Sequence, residues 1–196
     1  GWHMHMDEID QTLSILPLTP RLGPARMLPD ELPARLFDHQ SLSQTLDREC
    51  WVIAPRSIVG SAFNAWHARG AQTLGYNGLP GMFAGLGELL QADARPRYVY
   101  AYTPDLDSFS HHYGTDSRQA QQALTDLDSL FGALLRRLRG SNTWLLATAD
   151  HGFIDSPTRR VIDLADHPQL AALLLRPLCG ERRAAYCYVA PDNRPA

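Results

Sequence analysis

Hydrophobic positions recur along this chain with two alternating periods. From Cys50 to Ala54 (CWVIA) every position is apolar, the pattern of a strand buried on both faces, and Pro55 closes it. Ser57 to Arg69 changes period: Ile58, Ala62, Phe63 and Trp66 share one helical face. Ala71 to Tyr76 reads as a second short strand among the turn-forming Gly75, Gly78 and Gly81, and Met82 to Leu90 as a helix. Tyr98, Tyr100 and Tyr102 then alternate with Val99, Ala101 and Thr103, which predicts a strand over 97–103 that Pro104 stops.

The strongest period follows. Ala120, Ala123, Leu124, Leu127, Leu130, Phe131, Leu134, Leu135 and Leu138 recur at three- and four-residue steps, predicting a helix over 116–139. Thr115 or Asp116 can cap its start, Gly140 suits its end, and Arg136, Arg137 and Arg139 complement its carboxyl-terminal dipole. Thr143 to Ala149 (TWLLATA) reads as another buried strand. Strand, helix and strand make a βαβ unit over 97–152, with parallel strands whose carboxyl ends share one edge of the sheet.

The flanks are less regular. Gly1 to Leu16 holds an apolar alternation at Leu13, Ile15 and Leu16, with His3 and His5 on one face of any strand. That spacing is metal-compatible, but with no carboxylate placed beside it the stretch reads as a surface strand. Residues 17–47 begin with five prolines, at 17, 20, 24, 29 and 33, and read as an arm or small cap-like insertion with helical patches near Leu32 and Leu42. Val161 to Leu164 suggests an edge strand, Asp166-His167-Pro168 opens a helix through Leu175, and Ala184 to Ala190 alternates like a strand. The expectation is one α/β domain over 1–196, built on a mainly parallel sheet flanked by helices.

Composition narrows the function. A hydrophobic fraction of 44% with 20% charged residues is that of an ordinary globular protein, and a net charge of −3 disfavours a nucleic-acid-binding surface. No apolar run approaches the roughly 18 residues of a membrane-spanning helix. Cys50, Cys179 and Cys187 are odd in number and lack C-x-x-C spacing, which favours a reducing compartment such as the cytoplasm over a disulfide framework.

Candidate chemistry gathers where the two strands of the βαβ unit end. Asp105, Asp107, His111 and His112 follow Pro104, and Asp150 and His151 follow Ala149. Sites in open α/β sheets lie beyond the carboxyl ends of strands. On a helical turn Asp107 and His111 differ by about 40°, whereas Asp105 and His111 differ by about 240° and Asp107 and His112 by about 140°; only the first pair shares a face. Carboxylate with imidazole suits zinc or manganese, and two such ions about 4 Å apart clamp an in-line phosphoryl displacement.

The run Y-x-Y-x-P-x-L-D-S-x-S-H-x-Y-G, followed by T-A-D-H-G, resembles the alkaline phosphatase superfamily and, within it, the type I phosphodiesterase/nucleotide pyrophosphatase branch. The likeness is strongest from Tyr98 to Gly152 and continues through VIDLADHP and PLCGERRAAYCYV. It implies an alkaline-phosphatase-like core, incomplete at both ends, with two zinc ions as cofactors. One would be held by Asp107 and His111, the other by Asp150 and His151. It further implies hydrolysis of a phosphodiester or pyrophosphate bond in a small-molecule, nucleotide-type substrate, through a covalent intermediate on a Thr or Ser upstream of this stretch. Three family features have no counterpart here: that nucleophile, an upstream Asp ligand and a metal-binding His near the carboxyl terminus. His167 forms a second D-x-x-x-H with Asp163 but opens a helix. A metal-binding relative without turnover, or a sulfatase or phosphomutase branch sharing D-H-G, is the alternative.

Overall fold

The computed structural model describes residues 3–22, 31–93, 95–156, 161–181 and 183–193. The chain divides into two compact units, 39–155 and a second built from 1–38 with 156–196.

In the first unit the fully apolar run becomes β4 (Glu49–Pro55), the centre of a three-stranded parallel sheet. It pairs with β5 (Gln72–Tyr76) on one side and β6 (Arg97–Ala101) on the other, in register Val52 with Thr73 and Val52 with Tyr100. Between β4 and β5 lies the short α3 (Ala62–His67), whose Ser61 cap accepts a hydrogen bond from the Asn64 amide at 3.3 Å. The longer α4 (Gly78–Gln91) connects β5 to β6. β6 delivers the chain into α5 (Asp105–Tyr113) and then α6 (Arg118–Arg137).

Ile53, with no exposed surface, faces Leu79, Met82, Phe83 and Leu86 of α4 and Leu134 of α6 in one core cluster. Burying each such side chain contributes roughly 1.5–3 kcal/mol, so sheet and two helices stand or fall together. Ala120, Ala123, Leu134 and Leu138 of the stripe that predicted α6 are buried, whereas Leu124 and Leu135 lie exposed. The cap of α6 is Ser117 rather than Thr115 or Asp116: Ser117 Oγ accepts from the Ala120 amide at 3.1 Å.

The predicted strand over 143–149 does not form. Residues 143–149 carry no ladder pairing; Trp144 is 96% and Leu146 94% exposed, while Leu145 packs against the core cluster. Apolarity alone marked this run, and a strand also requires a partner edge. The predicted βαβ unit is therefore present only as its first strand and its helix. Val161 to Leu164 likewise forms no strand: 161–163 are irregular, and Leu164–Asp166 is a 3₁₀ turn.

The second unit is antiparallel, which the expectation of a mainly parallel sheet did not include. β1 (His3–Met6), β2 (Gln11–Ser14), β3 (Thr19–Pro20), β7 (Cys179–Glu181) and β8 (Ala184–Tyr186) form one sheet in the order β3-β2-β1-β7-β8. Leu13 is fully buried in it. Asp10, in a left-handed conformation (φ 46°), makes the β1–β2 connection. Of the proline-rich stretch 17–47, residues 23–30 lie outside the described residues; the remainder includes β3, α1 (Leu32–Leu36) and α2 (Leu42–Thr45), the last within the first unit. α7 (Pro168–Leu173) begins at proline, as its sequence predicted. Among the described residues no helix is long and apolar enough to cross a membrane.

Candidate functional site

Because Pro104 ends the extended segment and Asp105 and Asp107 favour a helix amino terminus, α5 starts at once, and its first turn carries both carboxylates. One turn on, His111 Nε2 reaches to 3.2 Å from Asp107 Oδ1. α5 stops at Gly114, whose φ of +92° is a conformation that glycine adopts without strain. The irregular segment after 141 brings His151 Nε2 to 3.7 Å from the same Asp107 oxygen and to 3.8 Å from Asp150 Oδ2. Asp107, His111, Asp150 and His151 thus meet at one place, although the second strand meant to deliver two of them is missing.

Two details give the cluster its chemistry. Asp107 Oδ1 is shut off from solvent yet accepts no hydrogen bond, although His111 Nε2 lies 3.2 Å and His151 Nε2 3.7 Å away. An orphaned carboxylate oxygen of this kind is costly unless a proton donor or cation meets it. His151 Nδ1 lies 3.0 Å from the Gly152 carbonyl, which only accepts, so Nδ1 is the donor there and in the neutral ring Nε2 presents the lone pair.

The neighbours lie differently. Burial pushes the Asp105 carboxyl up, against a hydrogen bond from Thr103 that lowers it. The His112 ring packs edge-on against Tyr113 at 4.5 Å. Burial also raises the phenols of Tyr100 and Tyr102. The charge of Asp107 adds to the second, and that of Asp150 acts on both.

The sequence reading missed Phe153 and Asp155. Phe153 stands edge-to-face to both imidazoles, with ring centroids 5.1 Å from His151 and 6.0 Å from His111. Asp155 Oδ1 accepts from the Thr115 amide at 3.0 Å. The signal was present as an aromatic and a carboxylate just beyond D-H-G, but nothing in the spacing said that they turn back onto α5.

Tetrahedral zinc with bonds of about 2.0–2.1 Å sets its donors about 3.3 Å apart, so separations of 3.2, 3.7 and 3.8 Å together with the orphaned oxygen are compatible with metal ligation. The side chains as they stand do not close a cage: among the described residues no group of three or more His, Cys, Asp or Glu is disposed to hold a metal ion. The other candidate histidines have different roles. His3 and His5 pair across the β1–β2 hairpin with Ser14 (3.2 Å) and Thr12 (3.3 Å). His5 also has carboxylates nearby, Asp7 at 3.3 Å and Asp10 at 3.6 Å, which the sequence did not reveal because the turn folds back. Asp163 caps the Ala165 amide at 2.9 Å, and His167 occupies the N-cap position of α7.

A family model described as type I phosphodiesterase / nucleotide pyrophosphatase matches residues 49–194. Ectonucleotide pyrophosphatase/phosphodiesterase family member 5 of Homo sapiens is 33% identical over 67 residues, covering 32% of this chain and 14% of that protein. An uncharacterized pyrophosphatase/phosphodiesterase of Schizosaccharomyces pombe is 27% identical over 155 residues, covering 67% of this chain and 31% of that protein. The chain therefore spans less than a third of the length of either relative. No solved structure is significantly similar to it.

Proposed function

Since the chain belongs to the type I phosphodiesterase / nucleotide pyrophosphatase family, we propose that it carries the metal-holding part of a hydrolase acting on phosphodiester or pyrophosphate bonds. The substrate is a small-molecule phosphate ester of nucleotide type. Asp107 and His111 would hold one zinc ion, and Asp150 and His151 the other. When bound, the ions would polarise the phosphoryl group and stabilise the attacking and leaving oxygens of an in-line displacement.

The observation that carries this reading is the buried, unpartnered Asp107 Oδ1 with two imidazole nitrogens beside it. The protein's own part is positional and electrostatic. α5 holds Asp107 and His111 one turn apart, and the Gly152 carbonyl fixes His151 in the tautomer that offers Nε2. Tyr100 and Tyr102, whose phenols are raised by burial, stay protonated at neutral pH and add no charge to repel an anionic phosphate. The covalent step would fall to a Thr or Ser hydroxyl upstream of this stretch. The 196-residue chain alone is therefore expected to take up metal with little turnover, because positioning and charge without the nucleophile leave the transition state incomplete.

Zinc titration of the purified chain tests the reading: uptake that falls in Asp107→Ala and His151→Ala supports it. Uptake by the wild-type chain no greater than that of Asp107→Ala combined with His151→Ala would overturn it, and a robust metal-dependent rate of this chain alone on bis-p-nitrophenyl phosphate would overturn the upstream nucleophile.

A further inference from the structure

His151 lies in a segment with no strand or helix from 141 to 156, so no backbone ladder sets its position. Its partner His111 is carried by α5. Two contacts draw the His151 segment onto the end of α5. Asp155 Oδ1 accepts from the Thr115 amide just past Gly114, a donor that no helix bond serves. Phe153 sets its ring edge-to-face with both imidazoles, at interplanar angles of 76° to His151 and 88° to His111. A hydrogen bond from an amide to a carboxylate is of the stronger, charge-assisted kind, and edge-to-face ring contacts are directional. One contact fixes where the segment lands and the other fixes the spacing of the rings.

We propose that Asp155 and Phe153 are the positioning residues of the site. Asp155 latches the D-H-G segment to α5, and Phe153 spaces His151 from His111 so that both Nε2 atoms face Asp107. The proposal rests on the metal-holding reading above and adds to it the parts that make a loop histidine behave as though a rigid element carried it. Partners that orient ligands in this way typically account for 10–100-fold of metal affinity.

The test uses the purified 196-residue chain, with zinc affinity measured by competition with a chromophoric chelator and Thr115 amide exchange and ring–ring NOEs measured by NMR. Asp155→Ala is expected to weaken zinc about 10–100-fold, unprotect the Thr115 amide and remove the NOE between Phe153 and His151. Asp155→Asn, whose side-chain oxygen still accepts, should stay close to wild type, which separates the latch from loss of fold. Phe153→Ala should weaken zinc while leaving Thr115 protected. Asp155→Ala with wild-type zinc affinity and a protected Thr115 amide would overturn the proposal. If the wild-type chain takes up no zinc, the metal-holding reading fails. The latch is then decided by the NMR alone: loss of Thr115 protection and of the NOE in Asp155→Ala upholds it, and retention of both refutes it.

Discussion

Asp107 Oδ1 lies 3.7 Å from His151 Nε2, joining the first turn of α5 to a segment that has no regular secondary structure. The same oxygen lies 3.2 Å from His111 Nε2, so one carboxylate connects the two candidate ligand pairs. The two D/H elements were expected to meet because two parallel strands would end together. They meet instead because side chains tie the second element to α5.

Among the rival neighbours, Asp107→Ala and His111→Ala should each lower zinc content, whereas Asp105→Ala and His112→Ala should do much less. Asp105 has its carboxyl pushed up by burial, which disfavours the charged form a metal needs, and His112 packs on Tyr113. Metal analysis of the four variants decides it; Asp105→Ala losing zinc while Asp107→Ala keeps it would reverse the assignment.

Helix α6 is predicted to lose about 1 kcal/mol when Ser117 becomes Ala, because Ser117 Oγ satisfies the free Ala120 amide. Thr115→Ala and Asp116→Ala, outside the cap, should change little. Urea unfolding of the three variants checks this, and an equal loss from Asp116→Ala would contradict it.

Burial separates two apolar positions that look alike in sequence. Leu134→Ala should destabilise by about 2–5 kcal/mol, since Leu134 is 4% exposed beside Ile53. Trp144→Ser, at a position 96% exposed, should stay within about 0.5 kcal/mol. A large loss from Trp144→Ser in thermal or urea unfolding would mean that residues 143–149 are packed after all.

Acid should weaken the first unit through one charged network. The nearly buried Arg97 donates from Nε to Glu49 and from Nη2 to Asp93, both at 2.8 Å. Hydrogen bonds from Trp51 and then Arg97 hold the Glu49 carboxyl below its usual range, and Arg95 followed by Arg97 does the same to Asp93. Carboxyls depressed on folding stabilise fully above their unfolded values, about 4.3 and 3.9, and lose that stabilisation as pH falls through the folded values. The melting temperature should therefore drop below about pH 4. Arg97→Met should melt lower at neutral pH and show a shallower acid slope; an unchanged slope would contradict the assignment.

Much of this was legible in the sequence. The unbroken apolar run of β4 and the three- and four-residue steps of α6 fixed those elements, because each face they bury is written in their spacing. Asp107 and His111 were legible for the same reason, being one turn apart on a short helix. What stayed hidden depends on partners. Residues 143–149 carry strand-like residues but pair with no edge, the antiparallel sheet joins β1 to β7 from opposite ends of the chain, and the Asp155–Thr115 bond leaves no periodic trace. The cap slipped from Asp116 to Ser117 because adjacent residues can both cap and only the backbone chooses between them.

The central claim is most directly tested by the zinc content of the purified chain, measured before chelation, after chelation and after zinc is restored. The account predicts zinc that chelation removes and titration returns, with Asp107→Ala lowered at every stage. A chain that takes up no zinc, or an Asp107→Ala variant that takes up as much as wild type, would contradict it.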